Sequence, residues 1–170
     1  MGEDWYSWYN LKYILYEYEL HLASGEPVKM SWDYLINKEK QDTIEHILPQ
    51  THKKHYWKKR WNKEQINEAL NDLGDLTLTY NNSAYGNKGF DQKKGTPGEK
   101  HCYANSSLFM ERALAKYDEW TYKEFIERRN MITSWIKERW HVGEAENLDI
   151  ILEEEVEEDE ITAALSEAKN

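Results

Sequence analysis

The heptapeptide Ile44-Glu45-His46-Ile47-Leu48-Pro49-Gln50 is the most informative stretch of this 170-residue chain. Its apolar residues predict a strand over residues 43–48. Pro49 cannot donate a hydrogen bond to a neighbouring strand, so the strand is expected to end there. The pair Glu45-His46 therefore lies near a strand terminus, where the imidazole can face a cleft.

Around this strand the sequence predicts a second strand and several helices. The second strand is expected over residues 76–80, after a short helix over residues 62–72 that stops at Gly74. The other expected helices cover residues 8–22, ending near residues 24–27; Ser106 or Ser107 to about Tyr117; and Thr121 onward, where Thr121-x-x-Glu124 is a capping box. Residues 31–41 are ambiguous, and residues 86–98, with half of the glycines, predict a mobile or substrate-contacting loop. The expected fold class is α+β.

The composition is that of one ordinary globular domain with a tail. Hydrophobic residues make up 39% of the chain, and no apolar run approaches the ~20 residues of a membrane span. Cys102 is the only cysteine, so no disulfide can form within the chain, and the N-terminus has no signal-peptide pattern. We therefore expect no membrane association and a cytoplasmic location.

The net charge of -10 is concentrated at the C-terminus. Residues 144–170 hold eleven of the 32 acidic residues and one of the 22 basic residues, which leaves 21 of each in residues 1–143. We therefore expect a folded domain over 1–143 and an acidic tail or terminal helix over 144–170. Within the domain, residues 52–63, here called the basic strip, carry six lysine and arginine side chains, no acid and interleaved aromatics. Such a strip suits contact with a phosphate backbone.

The Glu45-His46 pair offers a hard oxygen ligand beside a general base. Hydrolysis of a phosphodiester requires a deprotonated water and a cation that neutralises developing charge, so this pair suits that reaction. The alternative is an ordinary surface pair at a strand end. A zinc site built from His52, His55, His101 and Cys102 is disfavoured, since the two pairs are far apart and no Cys-x2-Cys motif is present.

Four motifs occur in an order that resembles the HNH (ββα-metal) nucleases, most closely the C-terminal domain of GmrSD-type restriction endonucleases. They are an aromatic helix over residues 11–16, Glu-His-Ile-x-Pro-Gln, Leu-Gly-x-Leu-Thr-Leu over residues 73–78, and Asn-x4-Asn-x2-Phe-x2-Lys from Asn82 to Lys93. The resemblance covers roughly residues 9–140. It implies a mainly helical α+β domain around a small ββα-metal (His-Me finger) hairpin, which cuts foreign or modified DNA with one Mg²⁺ or Mn²⁺ ion.

The resemblance also implies roles for individual residues. His46 would be the general base, Asp75 would belong to the catalytic set by bracing the loop, and Glu45 would bind the metal together with Asn82 or Asn87. Turn chemistry is the alternative for both asparagines. Lysines and arginine expected to contact nucleic acid are Lys53, Lys54, Lys58, Lys59, Arg60, Lys88, Lys93 and Lys94. In the family, this domain usually follows an N-terminal nucleotide-hydrolysing half. We therefore expect a nucleotide-hydrolysing domain or subunit, absent from this chain, as a partner.

Two positions depart from the family pattern. Asp75 replaces an asparagine, which removes two N–H donors and is expected to raise the pKa of His46. Glu45 stands where many HNH enzymes have aspartate. These departures keep two alternatives open: a catalytically silent DNA- or protein-binding module on the same scaffold, with the tail masking the basic strip, and a structural interaction domain. Trp57 and Trp61 have even prospects of lying in the core or against nucleic acid.

Overall fold

The computed structural model describes residues 4–141, which form a mostly helical α+β fold with one small sheet. The chain divides into two compact units, residues 1–132 and 133–170. Helices in the described part are α1 Leu11–Ala23, α2 Trp32–Ile36, α3 Lys40–Thr43, α4 His55–Arg60, α5 Lys63–Ala69, α6 Asn82–Tyr85, α7 Phe90–Lys94, α8 Phe109–Leu114 and α9 Tyr122–Trp140. The strands are β1 Ile44–His46 and β2 Leu76–Leu78, and 3-10 turns cover Leu73–Asp75 and Tyr103–Asn105.

The two strands form an antiparallel sheet whose register places Glu45 opposite Thr77 and His46 opposite Leu76. The ladder continues past His46, because the Ile47 amide donates to the Asp75 carbonyl at 2.9 Å. Both strands are buried along their whole length. The two-stranded sheet therefore lies in the interior of the domain, and the Glu-His pair lies at the end of β1.

The turn before β2 is held from the opposite side by α9. Arg128, buried in the first unit, donates to the carbonyls of Leu73, Gly74 and Leu76 at 2.7–3.3 Å. A side chain at Gly74 would put a Cβ 2.8 Å from atoms of Phe125 and Arg129, closer than such atoms approach. The glycine of the Leu-Gly-Asp sequence is therefore required for the close packing of this turn on α9.

The core around the two-stranded sheet is rich in aromatic side chains. Trp57 is fully buried and Trp61 nearly so, and both indole N–H groups donate to backbone carbonyls, those of Lys88 and Trp120. They pack with other buried residues in one cluster: Ile47, Leu48, Ala69, Tyr85, Phe90, Tyr103, Leu114, Trp120 and Phe125. The interpretation of Trp57 and Trp61 as core residues is thus confirmed, and their lying against nucleic acid is wrong, because neither ring is accessible.

Most predicted helices are present, although their ends differ. The first helix runs over Leu11–Ala23 and ends at Ser24, which adopts a left-handed backbone conformation. Residues 31–41 contain two short helices, and the glycine-rich stretch contains α7. The strands are shorter than expected, three residues each, because Thr43 belongs to α3 and pairing ends at Leu78.

The predicted capping of α8 by Ser106 or Ser107 is wrong. The carboxylate of Glu19, on α1, accepts hydrogen bonds from the amides of Phe109 and Met110 at 2.7 Å each. Ser106 instead bonds the Leu108 amide and the carboxylate of Glu111. For α9 the capping-box prediction fits, since the Glu124 carboxylate accepts from the Thr121 amide at 2.9 Å.

The predicted boundary at residue 143 and the acidic tail over 144–170 lie outside the described residues. In the second unit, the last turns of α9 bring Trp135 and Trp140 edge to face, with ring centroids 5.2 Å apart. None of the helices within residues 4–141 has both the length and the apolar character needed to cross a membrane.

Candidate active site

The end of β1 places His46 beside the N-terminal segment. Its imidazole is 8% exposed and packs against the ring of Tyr6, with centroids 4.7 Å apart. Burial lowers the pKa of His46 below its ordinary value; the hydrogen bond to Asn71 opposes this effect and the nearby Lys93 ammonium adds to it. The imidazole is therefore neutral at physiological pH, the state a general base requires.

Asn71 fixes which nitrogen of His46 is basic. Its Oδ1 lies 2.8 Å from His46 Nε2, and because an amide oxygen only accepts, Nε2 carries the proton. The second nitrogen, Nδ1, is left as the proton acceptor. Asn71 has a φ of 69°, a left-handed conformation that asparagine tolerates better than most residues. Sequence reasoning missed Asn71 and Tyr6; the sequence Asn71-Asp72 before the Leu-Gly turn was the only available signal for the former.

Glu45 is paired with Lys93 inside the protein. The Lys93 ammonium donates to Glu45 Oε1 and to the carbonyls of His46 and Ile47 at 2.8 and 3.1 Å. Lys93 is fully buried and Glu45 is 3% exposed. Burial raises the pKa of Glu45 to about 7 even though the ammonium opposes it, and burial lowers the pKa of Lys93.

This pairing corrects the prediction for Lys93 as a phosphate contact. All three N–H donors of its ammonium are directed at groups of β1, and the side chain has no exposed surface. The lysine of the Asn-x2-Phe-x2-Lys motif thus faces inward. It supplies a positive charge to the strand end that carries the Glu-His pair.

Asp75 braces the backbone just after the histidine. Its Oδ1 accepts from the Leu48 amide at 2.8 Å and from the Trp120 indole at 3.3 Å, whereas its buried Oδ2 has no partner within residues 4–141. The side chain is fully buried, and burial raises the pKa of Asp75 well above its ordinary value. Asp75 is therefore a positioning residue in this geometry. The expected rise in the pKa of His46 is wrong, because burial of the imidazole dominates and lowers it.

The two asparagines differ in their surroundings. Asn82, the first residue of α6, donates through Nδ2 to the carbonyls of Gln41 and Ile44, so it ties α6 to β1. Asn87 lies on an exposed loop after Gly86. An amide whose nitrogen is engaged in this way still presents its oxygen, so both remain candidate oxygen ligands.

The predicted nucleic-acid contacts separate into exposed and engaged side chains. Lys53, Lys58 and Lys59 are exposed on or beside α4. Arg60 is paired with Glu119 at 3.1 Å, Lys94 with Asp118 at 3.4 Å, and Lys54 reaches Gln92 at 3.3 Å. Lys88 is half-buried, and its carbonyl accepts from Trp57. The first three lysines therefore form the open part of the basic strip.

The three residues expected to bind the metal are one acid, Glu45, and two asparagines, Asn82 and Asn87. Carboxylate and amide oxygens are the kind that Mg²⁺ takes while keeping several waters. Across residues 4–141, no three histidine, cysteine or acidic side chains are grouped as metal ligands. The Lys93 ammonium already balances the carboxylate, so a cation bound here would depend on water and substrate oxygens for most of its ligands.

The described residues thus form an α+β domain with an acid-histidine pair, Glu45-His46, at the end of a buried strand. The family model described as GmrSD restriction endonucleases, C-terminal domain, matches residues 2–135. The chain therefore belongs to this family. Neither the curated proteins nor the solved structures gave a match.

Proposed function

We propose that this chain is a metal-dependent HNH endonuclease domain that hydrolyses phosphodiester bonds of foreign or modified DNA in defence against phage. The observation that supports it most strongly is the state of His46. The imidazole is buried, neutral, packed on Tyr6 and held through Nε2 by Asn71. The hairpin β1–β2 followed by α6 would correspond to the ββα-metal motif of that nuclease class.

In this proposal, His46 Nδ1 takes the proton of the attacking water. Asn71 keeps the imidazole in the required tautomer through the bond to Nε2. Asp75 and Lys93 hold the backbone at the histidine and just after it, because Asp75 accepts from the Leu48 amide and Lys93 donates to the His46 and Ile47 carbonyls. The base is thereby fixed before substrate arrives, which lowers the cost of reaching the reactive geometry.

Glu45, with Asn82 or Asn87, would hold one Mg²⁺ or Mn²⁺ ion. When bound, such an ion neutralises charge that develops on the scissile phosphate and the leaving oxygen. Lys93 would favour the ionised form of Glu45 and so oppose the effect of burial, since an ammonium next to a carboxylate stabilises its charge. Because the carboxylate is already balanced, we expect weak affinity for the metal in the absence of DNA.

DNA would be held by the exposed lysines of the basic strip, Lys53, Lys58 and Lys59. Their charges lie near the start and end of α4, which packs on the core through Trp57. Family membership further suggests that a nucleotide-hydrolysing domain or subunit supplies recognition and control.

The test is nicking of supercoiled plasmid and of modified phage DNA with Mg²⁺ or Mn²⁺. We expect metal-dependent nicking that falls at least about 100-fold in His46→Ala, since a general base contributes about 10²–10⁴-fold. The matched control is His141→Ala, an exposed histidine beyond the family match, which should leave the rate unchanged. Equal nicking by His46→Ala and wild type would exclude His46 as the base.

The second candidate is a DNA-binding module without catalysis. The Lys93 ammonium on Glu45 favours it, because the proposed metal ligand is already neutralised. This alternative predicts salt-dependent DNA binding with no nicking under any metal, and no change of affinity when Mg²⁺ is added. Metal-dependent nicking lost in His46→Ala would exclude it.

A further inference from the structure

A cavity of about 890 Å³ lies beside the N-terminal segment that packs on His46. Small-molecule sites typically measure about 300–1,000 Å³. Its walls come from the segment before α1, from α1 itself and from α2 and α3. Tyr6 is shared, since it lines the cavity and its ring also packs on the His46 imidazole at 4.7 Å. Anything bound in the cavity is therefore one ring away from the proposed base.

Aromatic rings dominate one part of the cavity lining: Tyr6, Tyr9, Tyr13 and Trp32. Tyr9 is 81% exposed and Tyr13 is 42% exposed. Neither side chain is therefore part of the buried core. Trp32 stands edge to face with Tyr13, with centroids 6.0 Å apart. Exposed rings that converge on one cavity offer stacking faces for a planar group.

Three ammonium groups line the same cavity. Lys40 donates to the carbonyls of Tyr6 and Trp8 at 2.6 and 2.7 Å, and Lys12 donates to the carbonyls of Leu35 and Lys38. Each of these two ammonium groups therefore donates two hydrogen bonds to backbone carbonyls and remains positively charged. Within residues 4–141 neither these two lysines nor Lys38 has a carboxylate within 4 Å. The lining contains one acid, Glu39, and the Asp4 carboxylate lies near enough to interact with Lys40, so the three lysines still leave a net positive charge at the cavity.

We propose that this cavity binds an unpaired nucleotide of the DNA substrate, with its base against Tyr9 and Tyr13 and its phosphate near Lys38 and Lys40. Stacking faces interleaved with cations match the alternation of bases and phosphates along a single strand. A base still stacked inside a duplex cannot reach such rings, so the nucleotide must be unpaired or turned out of the helix. Through Tyr6, this subsite would set which phosphate is presented to His46. The proposal rests on the proposed function for the identity of the nucleic acid.

Binding is measured with the full chain carrying His46→Ala, in a chelator, so that no cleavage is needed. The two probes are a short labelled thymidine oligonucleotide and a strand of the same length and charge made of abasic residues. Since the phosphates are the same, their difference in affinity isolates the bases. We expect the thymidine strand to bind about 5- to 140-fold more tightly, the range for one stacked base.

The difference should disappear when Tyr9→Ala and Tyr13→Ala are introduced, while the affinity for the abasic strand stays the same. Tyr80→Ala is the matched control, because Tyr80 is also partly exposed but does not line this cavity. Equal affinity of the parent for both strands, or a base dependence that persists without Tyr9 and Tyr13, overturns the proposal. Base-dependent binding without nuclease activity would support the cavity as a nucleotide site and contradict the proposed hydrolysis. Nicking without base-dependent binding would support the hydrolysis and contradict the nucleotide site.

Discussion

The end of β1 and the basic strip hold charge in opposite ways. At β1, Glu45, Asp75 and Lys93 are buried and bonded to named neighbours. On the basic strip, Lys58 and Lys59 are exposed to solvent beside α4. A buried charge is costly without its partner, whereas an exposed charge costs almost nothing to remove. Substitutions at the end of β1 should therefore affect folding and activity together, whereas substitutions on the basic strip should affect only DNA affinity.

The largest effect on stability is expected from Lys93→Met. This change leaves Glu45 buried without its counter-charge and two carbonyls of β1 without a donor. Loss of one partner of a buried pair costs about 3–5 kcal/mol in the free energy of unfolding. Urea denaturation measures it, with Lys94→Met as control, since Lys94 is paired only with an exposed carboxylate. The double variant Glu45→Gln with Lys93→Met should recover part of the lost stability. Equal stability of Lys93→Met and Lys94→Met would show that the buried lysine matters no more than the exposed one.

A pair of variants at Asn71 tests how the base is oriented. Asn71→Ala removes the acceptor for His46 Nε2–H and should lower the nicking rate about 10- to 100-fold, as is typical when the partner of a functional histidine is lost. Asn71→Asp keeps an acceptor but adds charge, which favours the imidazolium. Wild-type activity should rise with pH through a midpoint below 6.5, and Asn71→Asp should move that midpoint upward. Identical pH profiles for wild type and Asn71→Asp would show that His46 does not limit the rate.

Asp75→Asn should stabilise the chain at neutral pH, on the order of 1 kcal/mol, because it removes a buried carboxylate with an unpaired oxygen. The pKa of Asp75 is higher in the folded than in the unfolded chain. Its favourable contribution is therefore complete below the unfolded pKa of about 4 and declines as pH rises toward the folded pKa. In thermal melts, the difference in melting temperature between Asp75→Asn and wild type should increase as pH rises above about 4. A variant less stable than wild type at every pH would mean that this buried position accommodates a carboxyl group better than an amide.

The smallest effect on folding is expected from Lys58→Ala with Lys59→Ala. Both side chains are exposed, so the melting temperature should stay the same. DNA affinity should fall, and the slope of its logarithm against the logarithm of salt concentration should decrease by about two, close to one unit for each lost phosphate contact. An unchanged slope would place the DNA elsewhere on the molecule.

Local features of the sequence predicted the local features of the structure. The capping box at Thr121 was predicted correctly because its signal lies within a few residues. The first strand was placed correctly, but it ends at His46, before the end predicted at Pro49. Contacts that join distant residues could not be read from one sequence. Asn71 meets His46 across 25 positions, and Lys93 meets Glu45 across 48. The prediction of Lys93 as a phosphate contact was wrong because a lysine in a polar loop is usually exposed, and only the folded backbone shows that this one turns inward.

The bond from Glu19 to the start of α8 has a consequence for synthesis of the chain. The helix that carries Glu19 leaves the ribosome long before its partners, the amides of Phe109 and Met110, which lie 90 and 91 residues further on. At ordinary rates of about 5–20 residues per second, the delay is about 5–18 s. During that interval α1, whose Leu11 and Leu15 are fully buried in the finished fold, has α2 and β2 to pack against but not α8. A nascent chain of this protein therefore passes through a period in which chaperone contact at its first helix is favoured.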